Sequence, residues 1–148
     1  MSLAYMYDPA RYDDFYCQLS PDGSKVAISG VSYGWEFSQT YLLGITPGSS
    51  VDITDLKDTR NLAWFPDSKR IAYLRSWQCD HDHEHDDKCY DLLVQCLASG
   101  QITTIHRWYN VDTPYCKVFV TPDGARVITH DKRRIDQCEF WTWDVSDL

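Results

Sequence analysis

No stretch of the sequence approaches the roughly twenty consecutive apolar residues that a membrane-spanning helix requires. The opening residues, Met1 to Asp8, have neither a basic start nor a long apolar core, so they do not read as a secretion signal. A cytoplasmic location with reduced thiols is then the default expectation. Basic residues are scattered apart from Lys132-Arg133-Arg134, and the formal net charge is −8. A nucleic-acid partner is not expected, because such binders draw most of their affinity from a basic stripe that neutralises phosphates. No stretch has convincing helical periodicity. Pro9 to Phe15 and Asp55 to Arg60 are candidates for single turns, too short to stand alone.

What is present is a repeat. Ser20-Pro21-Asp22-Gly23-Ser24-Lys25-Val26-Ala27-Ile28-Ser29 returns as Phe65-Pro66-Asp67-Ser68-Lys69-Arg70-Ile71-Ala72-Tyr73-Leu74. It returns again as Thr121-Pro122-Asp123-Gly124-Ala125-Arg126-Val127-Ile128-Thr129-His130. The prolines are 45 and 56 positions apart, and an acidic, histidine-rich insertion between Trp77 and Tyr90 accounts for the longer step. Periods of about 40 to 50 residues with several short strands each are those of propeller blades. A chain of 148 residues, 43% hydrophobic and 14% aromatic, is large enough to bury a core.

Each unit reads as an antiparallel meander. First strands lie at Phe15 to Leu19, Leu62 to Phe65 and Cys116 to Val120, and second strands follow each Pro-Asp turn. Leu19, Trp64 and Val120, two residues before each proline, should share a buried face; so should Val26, Ile71 and Val127, five after it. Ser68 stands where the other units have glycine, which suggests a different turn type there. Third strands are expected at Glu36 to Leu43, Tyr90 to Cys96 and Cys138 to Asp144, and fourth strands at Val51 to Thr54 and Gln101 to Ile105. The third unit has no fourth strand, whereas Leu3 to Tyr7 precedes the first unit as an unassigned strand.

The Pro-Asp-Gly pattern and its two echoes resemble the TolB-like, or WD-like Pro-Asp, propeller repeat over nearly the whole chain. True WD repeats compete through Phe140-Trp141-Thr142-Trp143-Asp144-Val145, but that signature occurs once. The resemblance implies an all-β fold of four-stranded blades and a role in binding proteins or ligands; some relatives are the propeller parts of prolyl-oligopeptidase-type enzymes. The expected organisation is one propeller-type domain over residues 1–148. Its blades span about 8–55, 56–106 and 107–148, with strand 3–7 completing the third.

Rings need about four to eight blades, so three leave the ring open. A homodimer in which strand 3–7 completes the last blade of a second copy would make a six-bladed ring with two-fold symmetry. The competing reading is a piece of a longer propeller.

Three local features carry candidate chemistry. Cys79, His81, His83, His85 and Cys89 lie among carboxylates in the insertion, and alternate histidines on an extended strand point the same way. Such a set suits zinc or another divalent transition metal, although its spacing matches no standard zinc finger. A solvated acidic hairpin tip and a Cys79–Cys89 disulfide are the other readings. Cys17, Cys96, Cys116 and Cys138 sit in apolar runs, where thiols serve as small buried hydrophobes.

Gly30-Val31-Ser32-Tyr33-Gly34 matches the nucleophile elbow, but an elbow needs a helix after it and the following residues alternate as a strand. An inter-strand loop is the expected reading, and no catalytic residue is assigned. His106 and His130 are expected to be structural or surface residues. Trp64, Trp108, Tyr109, Trp141 and Trp143 are expected to pack between blades. The first functional expectation is a non-enzymatic scaffold or binding module. The alternatives are a metal-binding protein and the propeller fragment of a prolyl-oligopeptidase-like hydrolase.

Overall fold

The computed structural model describes residues 14–31, 38–45, 53–78, 88–109, 117–134 and 137–148. The described chain is all-β, with eleven strands in three antiparallel sheets and no helix among the described residues. Sheet 1 holds β1 (Asp14–Leu19), β2 (Lys25–Val31), β3 (Ser38–Gly44) and β4 (Ile53–Lys57). Sheet 2 holds β5 (Thr59–Trp64), β6 (Arg70–Gln78), β7 (Lys88–Cys96) and β8 (Ile102–Trp108). Sheet 3 has the order β11-β10-β9, from β9 (Lys117–Val120), β10 (Arg126–Arg134) and β11 (Gln137–Asp144). Two compact units divide the chain, Met1–Arg60 and Asn61–Leu148. Strand 3–7 lies outside the described residues.

The Pro-Asp turns share one hydrogen-bond frame. The amides of Gly23, Ser68 and Gly124 donate to the carbonyls of Ser20, Phe65 and Thr121 at 2.8, 3.0 and 2.8 Å. The Asp22, Asp67 and Asp123 carboxylates accept the amides of Ser24, Lys69 and Ala125 at 2.9, 2.8 and 3.0 Å. In the first and third turns the Ser20 and Thr121 hydroxyls accept the amides of Lys25 and Arg126. Phe65 has no hydroxyl, and there Asp67 takes the Arg70 amide at 3.1 Å and its Nε at 2.8 Å. Ser68 keeps the same turn rather than a different one: its φ of 56° matches the 71° and 70° of Gly23 and Gly124. The shared frame holds the non-glycine residue in a left-handed conformation that ordinarily costs it about 1–2 kcal/mol.

Equivalent cross-strand pairs sit at the centre of each sheet: Ser29 opposite Thr40, Leu74 opposite Leu92, His130 opposite Phe140. The three pairs use different chemistry. Ser29 and Thr40 share a hydroxyl hydrogen bond of 2.8 Å, and Thr40 also donates to the Thr59 carbonyl at 3.3 Å. Leu74 and Leu92 are fully apolar and buried, each contributing about 1.5–3 kcal/mol by leaving water. The His130 and Phe140 rings stack at 4.7 Å.

In the second unit the core gathers Ala63, Phe65, Ala72, Leu74, Leu92 and Val94 of sheet 2 with Val118, Val127 and Val145. The period-two alternation of β6 and β7 places Ala72, Leu74, Leu92 and Val94 on this face. Ile71, Tyr73 and Leu93, on the opposite face, are buried as well.

Several expectations need correction. Asp55 to Arg60 forms no helical turn; Asp55–Lys57 belong to β4, and the positive φ of Asp58 turns the chain directly into β5. Of Pro9 to Phe15, only Asp14 and Phe15 are described, and they lie in β1. The fourth strands run further than expected, to Lys57 and Trp108. Val127 and Ile71 are fully buried, but Leu19 is 64% exposed, and Val26, Trp64 and Val120 are half-buried. Cys17 is exposed and Cys96 half-buried, so neither thiol is a core hydrophobe.

One buried polar group has no partner among the described residues, the Tyr90 hydroxyl. Leaving a hydroxyl unsatisfied costs about 1–3 kcal/mol. Tyr90→Phe should therefore leave stability unchanged or raise it by about 1 kcal/mol, read as the urea midpoint. A clear fall in the midpoint would mean that the hydroxyl is bonded.

Candidate binding surface

Two surfaces depart from the repeat, and both belong to the second unit. The first is a row of charges across sheet 2. Arg75 on β6 stands opposite Asp91 on β7, which stands opposite Arg107 on β8, so all three share one face. Asp91 is 1% exposed. Arg107 grips it with both arms of the guanidinium, Nε to Oδ1 at 2.7 Å and Nη2 to Oδ2 at 3.0 Å. The Trp77 indole donates to Oδ1 at 3.2 Å. Arg75 Nη2 stands 3.6 Å from Oδ2, close enough for an ion pair but too long for a hydrogen bond.

Burial pushes the Asp91 carboxyl upward, but hydrogen bonds from Arg107 and Trp77 and the charges of both arginines outweigh it and hold it below the ordinary carboxylate range. The hydrogen bonds to Asp91 push Arg107 further up, and a guanidinium stays charged at any working pH. The Arg107 guanidinium lies 4.9 Å from the Trp77 ring centre, and Trp77 meets Tyr109 edge to face at 6.5 Å. The repeat does not require this row. At the same register sheet 1 has Gly30 opposite Gln39, and sheet 3 has Asp131 opposite Glu139.

The second surface is the β11 edge of sheet 3, where Phe140 and Trp141, consecutive in the strand, lie on opposite faces. β11 closes that sheet with no fourth strand among the described residues. Phe140 and Trp141 are 66% and 48% exposed, whereas Leu92 and Leu93 at the equivalent positions of β7, covered by β8, are 0% exposed. Trp143 turns inward, stacked on His106 at 4.5 Å, and His106 meets Trp108 edge-on at 4.6 Å. His106 and His130 thus pack against aromatic rings. Trp108 and Trp143 pack against the core, but Trp141 and the 55%-exposed Tyr109 do not.

Of the histidine-rich set, Cys79, His81, His83 and His85 lie outside the described residues. Cys89 is fully buried opposite Trp77 in β7 and is disulfide-bonded. Among the described residues, no group of three or more His, Cys, Asp or Glu side chains is placed to hold a metal. Of the Gly30 to Gly34 segment, Gly30 and Val31 end β2, and Ser32, Tyr33 and Gly34 lie outside the described residues. The next described element is β3, antiparallel to β2 with Val31 opposite Ser38, where an elbow would need a helix. No helix among the described residues is long and apolar enough to cross a membrane.

The ion row sets a pH dependence. A depressed Asp91 pKa gives stability that is present above the unfolded value of about 4 and lost as pH falls through the folded value. Asp91→Asn should lower stability at pH 7 by about 1–3 kcal/mol and flatten the acid limb of a stability–pH curve. An unchanged acid limb would remove Asp91 from that role.

No family model matches the sequence, and no curated protein is similar to it. Solved structures do match. Prolyl oligopeptidase B from Galerina marginata superposes with a TM-score of 0.69 at 12% identity, over 99% of this chain and 22% of that one. A putative TolB from Agrobacterium tumefaciens gives 0.53 at 23% identity, over 85% and 42%. The β-propeller domain of the Trilobed protease from Pyrococcus furiosus gives 0.50 at 14%, over 88% and 40%. The chain spans about a fifth of the length of the oligopeptidase it matches. Together with the three antiparallel sheets, these likenesses show that the chain has a β-propeller-like fold.

Proposed function

We propose that the chain is a propeller-type scaffold that works by binding, and that a second copy of itself is its first partner. The observation that carries this reading is the contrast between equivalent positions, buried Leu92 and Leu93 against exposed Phe140 and Trp141. Exposed aromatics beside a strand edge that no described strand pairs suit an added strand, which would satisfy backbone groups and cover both rings. Residues 3–7 of a partner copy are the proposed strand. Exchange in both directions would join two three-bladed chains into a six-bladed ring.

A second reading has its own support: the chain aligns along nearly its whole length with about a fifth of a prolyl oligopeptidase. On that reading it is the propeller portion of a hydrolase, and the edge of β11 receives the next blade of the same polypeptide.

Light scattering separates the two. The homodimer predicts a mass of two chains, reduced to one by removing residues 1–7, with Trp141 fluorescence shifting red as its ring meets water. A one-chain mass for the intact protein would rule out the dimer and favour the hydrolase portion.

A further inference from the structure

We propose that Arg75 and Arg107 form a carboxylate-binding site on sheet 2, with Trp77 and Tyr109 as its aromatic wall and an acidic or C-terminal peptide group as its ligand. Two permanent cations converge on one carboxylate, so the row keeps a net charge of +1 in a chain whose net charge is −8. Asp91 is the only carboxylate within ion-pair distance of either arginine among the described residues.

The hydrogen bonds are divided unequally. Arg107 and Trp77 already occupy both Asp91 oxygens. Arg75 makes no hydrogen bond to Asp91, and its side chain is 41% exposed. Its planar fork of donors is therefore available to a second carboxylate, the partner that such a fork matches in two parallel hydrogen bonds. Arg107, pinned by Asp91 and by the Trp77 face, adds a fixed positive charge beside it. Half-exposed Trp77 and exposed Tyr109 offer apolar area for the neighbouring part of a peptide.

Position supports a role beyond folding. A row needed by every sheet would recur at each repeat. At this register, however, sheet 1 carries a glycine opposite a glutamine and sheet 3 two acids. The inference does not depend on oligomeric state. A protein measured as one chain that still bound the peptide would keep this site and lose the homodimer.

The test is calorimetric titration of the full chain with three peptides: acetyl-Ala-Leu-Ala with a free carboxylate, its C-terminal amide, and acetyl-Ala-Asp-Ala amide. Saturable binding of the first or third, and not of the plain amide, is the expected result and identifies which kind of carboxylate is taken. Arg75→Gln should weaken it about tenfold, while Arg75→Lys should recover part of the loss. Arg75→Gln leaves the Asp91–Arg107 pair in place and removes only a longer ion pair, so its urea midpoint should fall only slightly. Absence of binding, equal binding of the plain amide, complete displacement by equimolar inorganic phosphate, or indifference to Arg75→Gln would each overturn the site.

Discussion

The fold depends on a carboxylate that closes a turn. In each repeat an aspartate directly after proline accepts the backbone amide two residues on, and the residue between takes a positive φ. Proline presets the first dihedral and the carboxylate holds the last amides, so the two flanking strands enter in register. All three aspartates are held below the ordinary carboxylate range. For Asp22 the Ser24 amide contributes most, and for Asp123 the Thr121 hydroxyl. Burial opposes the shift at Asp67 and is outweighed by the Lys69 amide and by Arg70. Arg70 also lies over the Phe65 ring at 4.3 Å and reaches the Leu148 carbonyl, so the second turn braces the segment after β11.

A repeated frame makes the departures informative. The same register row is a hydroxyl pair in sheet 1, a leucine pair in sheet 2 and a stacked His–Phe pair in sheet 3. The polar pair is tolerated because each hydroxyl finds a partner. Next to that row, only sheet 2 carries an Arg–Asp–Arg line, with its central carboxylate buried. A buried charge is a poor source of net stability unless its partners are well placed, and here one arginine is better placed than the other.

Sheet 3 differs in a second way. Its outer strand exposes aromatic side chains where the corresponding strand of sheet 2 buries leucines. Leu92 belongs to the core shared with Val118, Val127 and Val145, and β8 pairs with β7, whereas no described strand pairs with the outer edge of β11. Exposed apolar surface beside unpaired backbone groups favours association.

Local sequence determined the repeat, the strand order within each sheet and the all-β character, because turn chemistry and two-residue alternation act over a few neighbours. It also identified Val127 and Ile71 as core. It misread Ser68, since a hydrogen-bond frame, rather than residue type, imposes the left-handed conformation there. It placed Leu19 and Cys17 inside although both are exposed, because alternation says which residues share a face and not whether that face is covered. Arg75, Asp91 and Arg107 carried no sequence signal: they are 16 residues apart on successive strands, and only cross-strand register sets them in one row. Register and coverage are properties of paired strands, so the tertiary structure alone decided them.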